Sequence, residues 1–258
     1  MNINYNIFLS LVLGIIFYLG GIVIGKKIKN KNLKYFLLFF SFILSVPGLS
    51  MILYYLQFFK LSVWYVDFRT INFIEGSNSF IGLFFGLLNP QGLRKYIYLA
   101  VLILFLIVPY IKPVLRPLNI DKERGWKDNV CLQSTGATCG PSCLATIFRH
   151  YNLNKSESEI AKASYSCSTG TEIWYLLRYA KSQGLKYQCS IHENIKSIKP
   201  PAIVGVNLGS IGHFITYLEK KDSIYIIGDP LDGQSKLTEA YFNKRYKKLD
   251  GFVVEFNE

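Results

Sequence analysis

The chain is 258 residues long, 50% apolar and 16% aromatic, with only 18% charged residues. That is too oily for an ordinary soluble domain and too long for a membrane anchor alone, so two parts are expected. Residues through Asp128 carry 14 Lys+Arg against 5 Asp+Glu and the remainder 15 against 12, so most of the net +12 belongs to the apolar half; there it reads as membrane orientation, which removes most support for nucleic-acid binding.

The first element in chain order is an uncharged run of nineteen residues, Ile7 to Gly25, long enough for a hydrocarbon core of about 30 Å at about 1.5 Å per residue. A cleaved signal peptide would carry its positive end before the apolar run. Here the lysines follow it, at 26, 27, 29, 31 and 34. A second run, 35–59, holds Pro47-Gly48 in its middle, where a kink is expected. A third, 96–111, is closed by Pro109, Pro113 and Pro117. Three spans are therefore expected within an all-α transmembrane region, 1–117, followed by a linker, 118–128, and a second domain, 129–258.

Lysine and arginine in short loops set orientation. The first loop has five; the loop from Lys60 to Lys95 has four over a much longer stretch; Lys112, Arg116, Lys122, Arg124 and Lys127 follow the third span. With three spans this predicts an integral protein of a bacterial cell membrane with its second domain in the cytoplasm. The apolar stretch Phe80 to Leu88 is too short to span alone, but if it joined a fourth span the second domain would change sides.

Gly20 to Lys27, GGIVIGKK, fits a phosphate-binding loop except at Lys27, where Ser or Thr would hold magnesium, and no strand precedes it. No nucleotide is expected, and Gly21-xxx-Gly25 serves equally as a helix-packing face. All five cysteines (131, 139, 143, 167, 189) lie in the second half, without the spacing of a disulfide framework or a CxxC metal pair. At least one free thiol is expected, and no metal or cofactor.

From Val130 to Tyr151 small and turn-forming residues precede Leu144, Ile147, Phe148 and Tyr151 at helical spacing. Cys139 opens that helix, and Pro141 falls in its first turn. A thiol at a helix N-terminus meets the positive end of the dipole and unpaired N–H groups, both favouring thiolate, so a nucleophile is expected there. Cys143, one turn on, reads as a packing residue. Downstream, Ser156-x-x-Glu159 is a capping box, Thr171 is expected to cap a helix stopped by Gly184, and the rest reads as strand. Residues 186–191 and 202–207 are two strands; 213–218 and 223–229 form a hairpin.

With the hairpin turn centred on Lys221, His213 faces Asp229. Directly opposed side chains have Cβ atoms about 4.5 to 5.5 Å apart, close enough for the carboxylate to fix the imidazole and leave its other nitrogen as a base. His150 and His192 have no such partner and read as structural or surface residues.

These residues together resemble the cysteine peptidases that remove double-glycine leaders from bacteriocins and related secreted peptides. The resemblance covers about residues 129 to 256 and rests on Gln133 six residues before Cys139, Cys139-Gly140-Pro141, Gly212-His213-Phe214, and Asp229-Pro230. It implies an α+β papain-like domain with Cys139 as nucleophile, His213 as general base and acid, Asp229 orienting His213, and Gln133 as oxyanion donor. Asp232 is a rival orienter, three residues out of register. Thr138 stands where the family's transporters often carry Asp, no ATPase follows, and three spans replace the six of a transporter half. The function expected is a membrane-anchored peptidase acting on a peptide or protein, with a separate exporter as a candidate partner. The rivals are a non-catalytic peptide-binding module and an amidase or acyltransferase using the same residues. No residue reads as a specificity pocket.

Overall fold

A computed structural model describes residue 4 and residues 6–59, 61–209, 211–246 and 249–257. The chain divides into two compact units, one built from residues up to Leu61 with Ile71–Leu115 and the other from Ser62–Thr70 with Arg116 onward.

The helices in chain order begin with α1 (Asn6–Lys27), α2 (Lys31–Tyr55), α3 (Val63–Arg69), α4 (Phe80–Leu87) and α5 (Leu93–Ile107). Among the described residues three helical segments are long and apolar enough to cross a membrane: Asn6–Lys27, Lys31–Tyr55 and Leu93–Tyr110. GGIVIGKK lies within α1 as regular helix, so it has no phosphate-loop geometry. α2 begins at Asn30, whose side chain accepts from the N–H groups of Asn32 and Leu33, and runs through Pro47.

In the first unit α4, preceded by a 3₁₀ turn at Ile74–Ser79, lies along α1. Glycine makes this approach possible. A Cβ on Gly21 would sit 2.8 Å from the Leu83 carbonyl oxygen and one on Gly25 2.9 Å from that of Leu87, while Gly82 and Gly86 lie against the carbonyls of Gly14 and Tyr18. Gly21-xxx-Gly25 is thus a helix-packing face, as small-xxx-small patterns are in apolar helices.

The second unit combines helices with a six-stranded antiparallel sheet. Its first pieces are the short pair β1 (Trp126–Lys127) and β2 (Val130–Cys131), so the stretch 118–128 belongs to this unit and contributes a strand to it. After α6 (Lys112–Leu115) of the first unit come α7 (Cys139–His150), α8 (Glu157–Ala163) and α9 (Ile173–Ser182). The sheet contains β3 (Lys186–Ile191), β4 (Ala202–Leu208), β5 (Ile211–Lys221), β6 (Ile224–Asp229), β7 (Gly233–Leu237) and β8 (Leu249–Asn257), in the order β3-β8-β4-β5-β6-β7. One face carries Ala202, Val204, Val206, Ile215, Tyr217, Tyr225 and Ile227, alternate residues packed with Phe242 and Tyr246 of α10 (Glu239–Tyr246). α7 packs against β4, β5 and β6.

Three local expectations need correction. The region after β6 is not all strand, because α10 interrupts it. Its signal is weak: little over two turns with Phe242 and Tyr246 buried, four apart. Thr171 does not cap α9; Glu172 holds that position, and the Thr171 hydroxyl pairs with that of Ser166 at 2.6 Å. The Ser156 hydroxyl does accept from the Glu159 N–H at 3.2 Å, and Gly184, at φ 91°, follows the end of α9.

The third correction is the hairpin register. Lys221 faces Ile224, so the turn is Asp222-Ser223, with Asp222 left-handed at φ 53°. A bulge at Leu218 then shifts the pairing, and Thr216 faces Gly228. His213 and Asp229 are therefore not directly opposite. Continuation of the register sets Asp229 beside Ile215, two residues from His213 and on the same face, so the pair meets diagonally. Without the bulge Asp229 would face Thr216 and point to the other side of the sheet, because side chains alternate with period two.

α3 joins this unit although it is far away in sequence. Arg178 of α9 donates from Nε at 3.0 Å and Nη2 at 2.5 Å to the Arg69 carbonyl, and Tyr65 meets the Trp174 ring edge to face with centroids 6.0 Å apart.

Candidate active site

Cys139 is the first residue of α7 and is partly exposed. Thr138, the residue before it, gives the helix no side-chain cap. Its hydroxyl is turned back into the loop, donating to the Thr135 carbonyl at 3.1 Å and accepting from the Thr135 N–H at 3.1 Å. The first N–H groups of α7 are thereby left to whatever lies in front of the thiol. Gly140 keeps the next turn against α9, since a Cβ there would lie 2.8 Å from Leu176 Cδ1.

The other thiols are buried. Burial, with Glu157 and Glu123 nearby, pushes Cys131 up to about 12, and burial raises Cys143 and Cys189 well above the ordinary thiol range.

His213 is 7% exposed on β5, its Nε2 3.0 Å from Asp229 Oδ1. Burial works against the imidazolium, but hydrogen bonds to Asp229 and to Cys139, with both negative charges, outweigh it and raise His213 to about 9. Because Asp229 occupies Nε2, Nδ1 is the ring nitrogen left for the thiol.

Asp229, 1% exposed, accepts four hydrogen bonds. Oδ1 takes His213 and the Leu231 N–H, each at 3.0 Å; Oδ2 takes Arg245 Nη2 at 3.0 Å and the Tyr246 hydroxyl at 2.9 Å. Burial alone would raise this carboxyl, but its donors, His213 foremost, lower it to about 2. Arg245 and Tyr246 were not legible in the sequence because α10 itself was not. Asp232 also binds Arg245, from a position 65% exposed, and is thus joined to Asp229 through a shared guanidinium.

Gln133 is 6% exposed and its backbone N–H donates to the Pro230 carbonyl at 2.9 Å, tying the approach to Cys139 to the segment just after Asp229. Its Nε2 donates to Thr135 O at 2.8 Å, which leaves a second amide hydrogen on the same nitrogen. His192, expected to lack a carboxylate partner, has one: its Nε2 lies 3.7 Å from Glu255 Oε1 while its Nδ1 meets Ser197 at 2.7 Å; His150 is exposed beside Tyr151.

The second unit thus sets a partly exposed cysteine at the head of a helix and a buried histidine–aspartate pair on an adjoining antiparallel sheet. Residues 127–255, half of the chain, match the Peptidase C39 family, and the chain belongs to that family. It is 29% identical over 112 residues to a protein of Methanothermobacter marburgensis, covering 43% of this chain and 78% of that one. It is 25% identical over 115 residues to one of Methanothermobacter thermautotrophicus, covering 45% and 80%. Among solved structures it is similar to the peptidase domain of Streptococcus ComA, a bi-functional ABC transporter involved in a quorum sensing pathway (21% identity, TM-score 0.44, covering 50% of this chain and 98% of that one). It is likewise similar to a double glycine motif protease from an AMS/PCAT transporter, solved with its leader peptide (22% identity, TM-score 0.44, covering 53% and 95%).

Proposed function

We propose that the chain is a membrane-embedded cysteine peptidase that cleaves a peptide or protein through an acyl-enzyme on Cys139. The observation that carries this reading is the buried His213–Asp229 pair, with Cys139, at an uncapped helix N-terminus, near enough to His213 to help raise it. In the thiolate–imidazolium pair Cys139 Sγ attacks the scissile carbonyl carbon, and the oxygen becomes an oxyanion. The Gln133 amide and the first N–H groups of α7 are its donors. Collapse breaks the C–N bond as His213 gives its proton to the leaving amine. Water, deprotonated by His213, then hydrolyses the thioester, releasing the carboxylic product and the thiol. Asp229 fixes the ring and offsets its charge.

Substrates of the double-glycine leader type are the first to test, with a separate exporter as the partner that presents them. Incubation of the purified full chain with such precursors, read by mass spectrometry, is expected to give a single cut that Gln133→Ala slows by ~10²–10³, the usual cost of one oxyanion donor. Alkylation of Cys139 in the same variant should stay near the wild-type rate. Equal losses in both assays would remove Gln133 from the oxyanion role.

The pH profile has a predictable alkaline limb. Imidazolium must be present to protonate the leaving amine, and His213 stays protonated below about 9, so turnover should fall as pH rises through about 9. Its raised value also means that His213 stabilises the folded state fully below its ordinary value near 6.5, a contribution lost as pH passes about 9. A turnover profile that is flat from pH 7 to 10 would exclude this acid.

A further inference from the structure

The directions in which the apolar helices run fix the number of passages through a membrane, and that number fixes the side on which the catalytic unit lies. α1 and α5 are antiparallel. The Tyr18 hydroxyl, in the later half of α1, donates to the Lys95 carbonyl near the start of α5 at 2.9 Å. The Ser10 hydroxyl, near the start of α1, lies 2.8 Å from that of Tyr110, just past the end of α5. Were α1, α2 and α5 the only crossings, the third would run parallel to the first.

The 3₁₀ turn and α4 supply the missing passage. Ser79 donates to the Ser10 carbonyl at 3.2 Å, and eight residues later Leu87 lies against Gly25. The segment therefore runs parallel to α1. It is antiparallel to α2, where Gly48 meets Ser77 at 2.7 Å and Phe42 meets Phe84 with ring centroids 5.9 Å apart. Six 3₁₀ and eight α residues extend about 24 Å, a shortfall against a core of about 30 Å that bilayers absorb by thinning. α3 is an independent observation. It follows α2 yet is built into the unit that follows α5, so the chain must cross an even number of times between Thr70 and Arg116.

From these directions we infer that the chain crosses four times and that the catalytic site faces away from the cytoplasm. Lys26, Lys27, Lys29, Lys31, Lys34, Arg94 and Lys95 then share one side, with no acidic residue in 26–34 or 88–95; on the other side Lys60, Arg69 and Lys112 are joined by Arg116, Lys122, Arg124 and Lys127, which are interspersed with Asp121, Glu123 and Asp128 and belong to the second unit. The side with the short, purely basic connections is cytoplasmic, because charge in a unit as long as the second one weighs little and such a unit is translocated largely regardless of it. The five lysines after α1, held on the cytoplasmic side, put the site inside with three crossings and outside with four. Resting on the peptidase reading, this makes the substrate a peptide or protein that has already crossed the membrane, cut at its outer face.

The test uses the full chain in intact bacterial cells, in a Cys139→Ser background whose other thiols are buried. Asn30→Cys, Asn72→Cys and Gln91→Cys, all at exposed positions, are treated with a membrane-impermeant maleimide before and after permeabilisation. The Asn72→Cys variant should label fully in intact cells and the other two only after permeabilisation. Asn72 and Gln91 variants labelling alike would overturn the fourth crossing. The pattern inverted throughout would overturn the outward site. An alkaline phosphatase fused after Glu258 should be active, and an inactive but expressed fusion would count equally against the inference. Outward labelling with no cleavage of added peptide by intact cells or membranes carrying the parent chain, Cys139 intact, would discard the peptidase and leave the topology; cleavage by inverted membranes of that parent chain alone would do the reverse.

Discussion

Cys139→Ser is expected to abolish peptide cleavage while leaving the unfolding midpoint close to that of the parent chain. The change is nearly isosteric at a partly exposed position, so packing is little altered. What is lost is the nucleophile: a serine hydroxyl is intrinsically weaker than a thiol and needs more help from a base. The same contrast should appear in the parent chain under limiting iodoacetamide. Cys139 is the one thiol that is not buried, while Cys131 is pushed up to about 12 and burial raises Cys143 and Cys189 further from their reactive form. Mass spectrometry of the early product should find Cys139 modified first. Cleavage surviving in the Ser variant, or Cys131 or Cys189 reacting first, would remove Cys139 from the centre of the mechanism.

The second large effect is expected at Asp229. Asp229→Asn keeps the size but removes the charge that offsets the imidazolium, and in a serine-enzyme triad the comparable change costs about 10⁴ in rate. A smaller loss is expected here, because a thiol needs less help to ionise than a hydroxyl. The surroundings add a stability cost. Oδ2 accepts from both Arg245 and Tyr246, and Oδ1 from His213 and Leu231, so an amide NH₂ must face donors whichever way it is turned. One buried donor left unpaired costs about 1–3 kcal/mol, which thermal unfolding would register. The alkaline limb should also move below 9, since the Asp229 hydrogen bond and charge help hold the His213 proton. Asp232→Asn is the control: at 65% exposure it is screened, and it reaches the site only through Arg245. If Asp232 proved necessary and Asp229 dispensable, the assignment of the orienting carboxylate would be wrong.

Much of the second half could be read from the chain because its signals are local. Cys139 at a helix start with Pro141 in the first turn, the Ser156 cap, Gly184 after α9 and the apolar alternation of β4 depend on neighbours within a few residues, where propensity and capping act. The His213–Asp229 contact was expected from a register that was itself displaced. The turn lies at Asp222-Ser223 and a bulge at Leu218 restores the face, so the two residues meet diagonally. A bulge has no sequence signature of its own, and an error of one residue would have sent Asp229 to the opposite face. Arg245 and Tyr246 were missed because α10 is too short to announce itself by periodicity, and its position under the sheet is set by packing with β4 and β7.

By itself the sequence determined that this protein has an apolar helical part and an α+β part. It also ordered Gln133, Cys139, His213 and Asp229 along the chain and put five lysines after the first apolar helix, since composition, hydropathy and short-range motifs are carried by consecutive residues. Only the tertiary structure decided that α4 runs beside α1 on a glycine face, that α5 returns antiparallel to α1, that α3 belongs with the catalytic unit, and that Asp229 is clamped by α10. Those are long-range relations. They follow from which surfaces can approach closely and bury their polar groups in pairs, and no stretch of neighbouring residues encodes that alone.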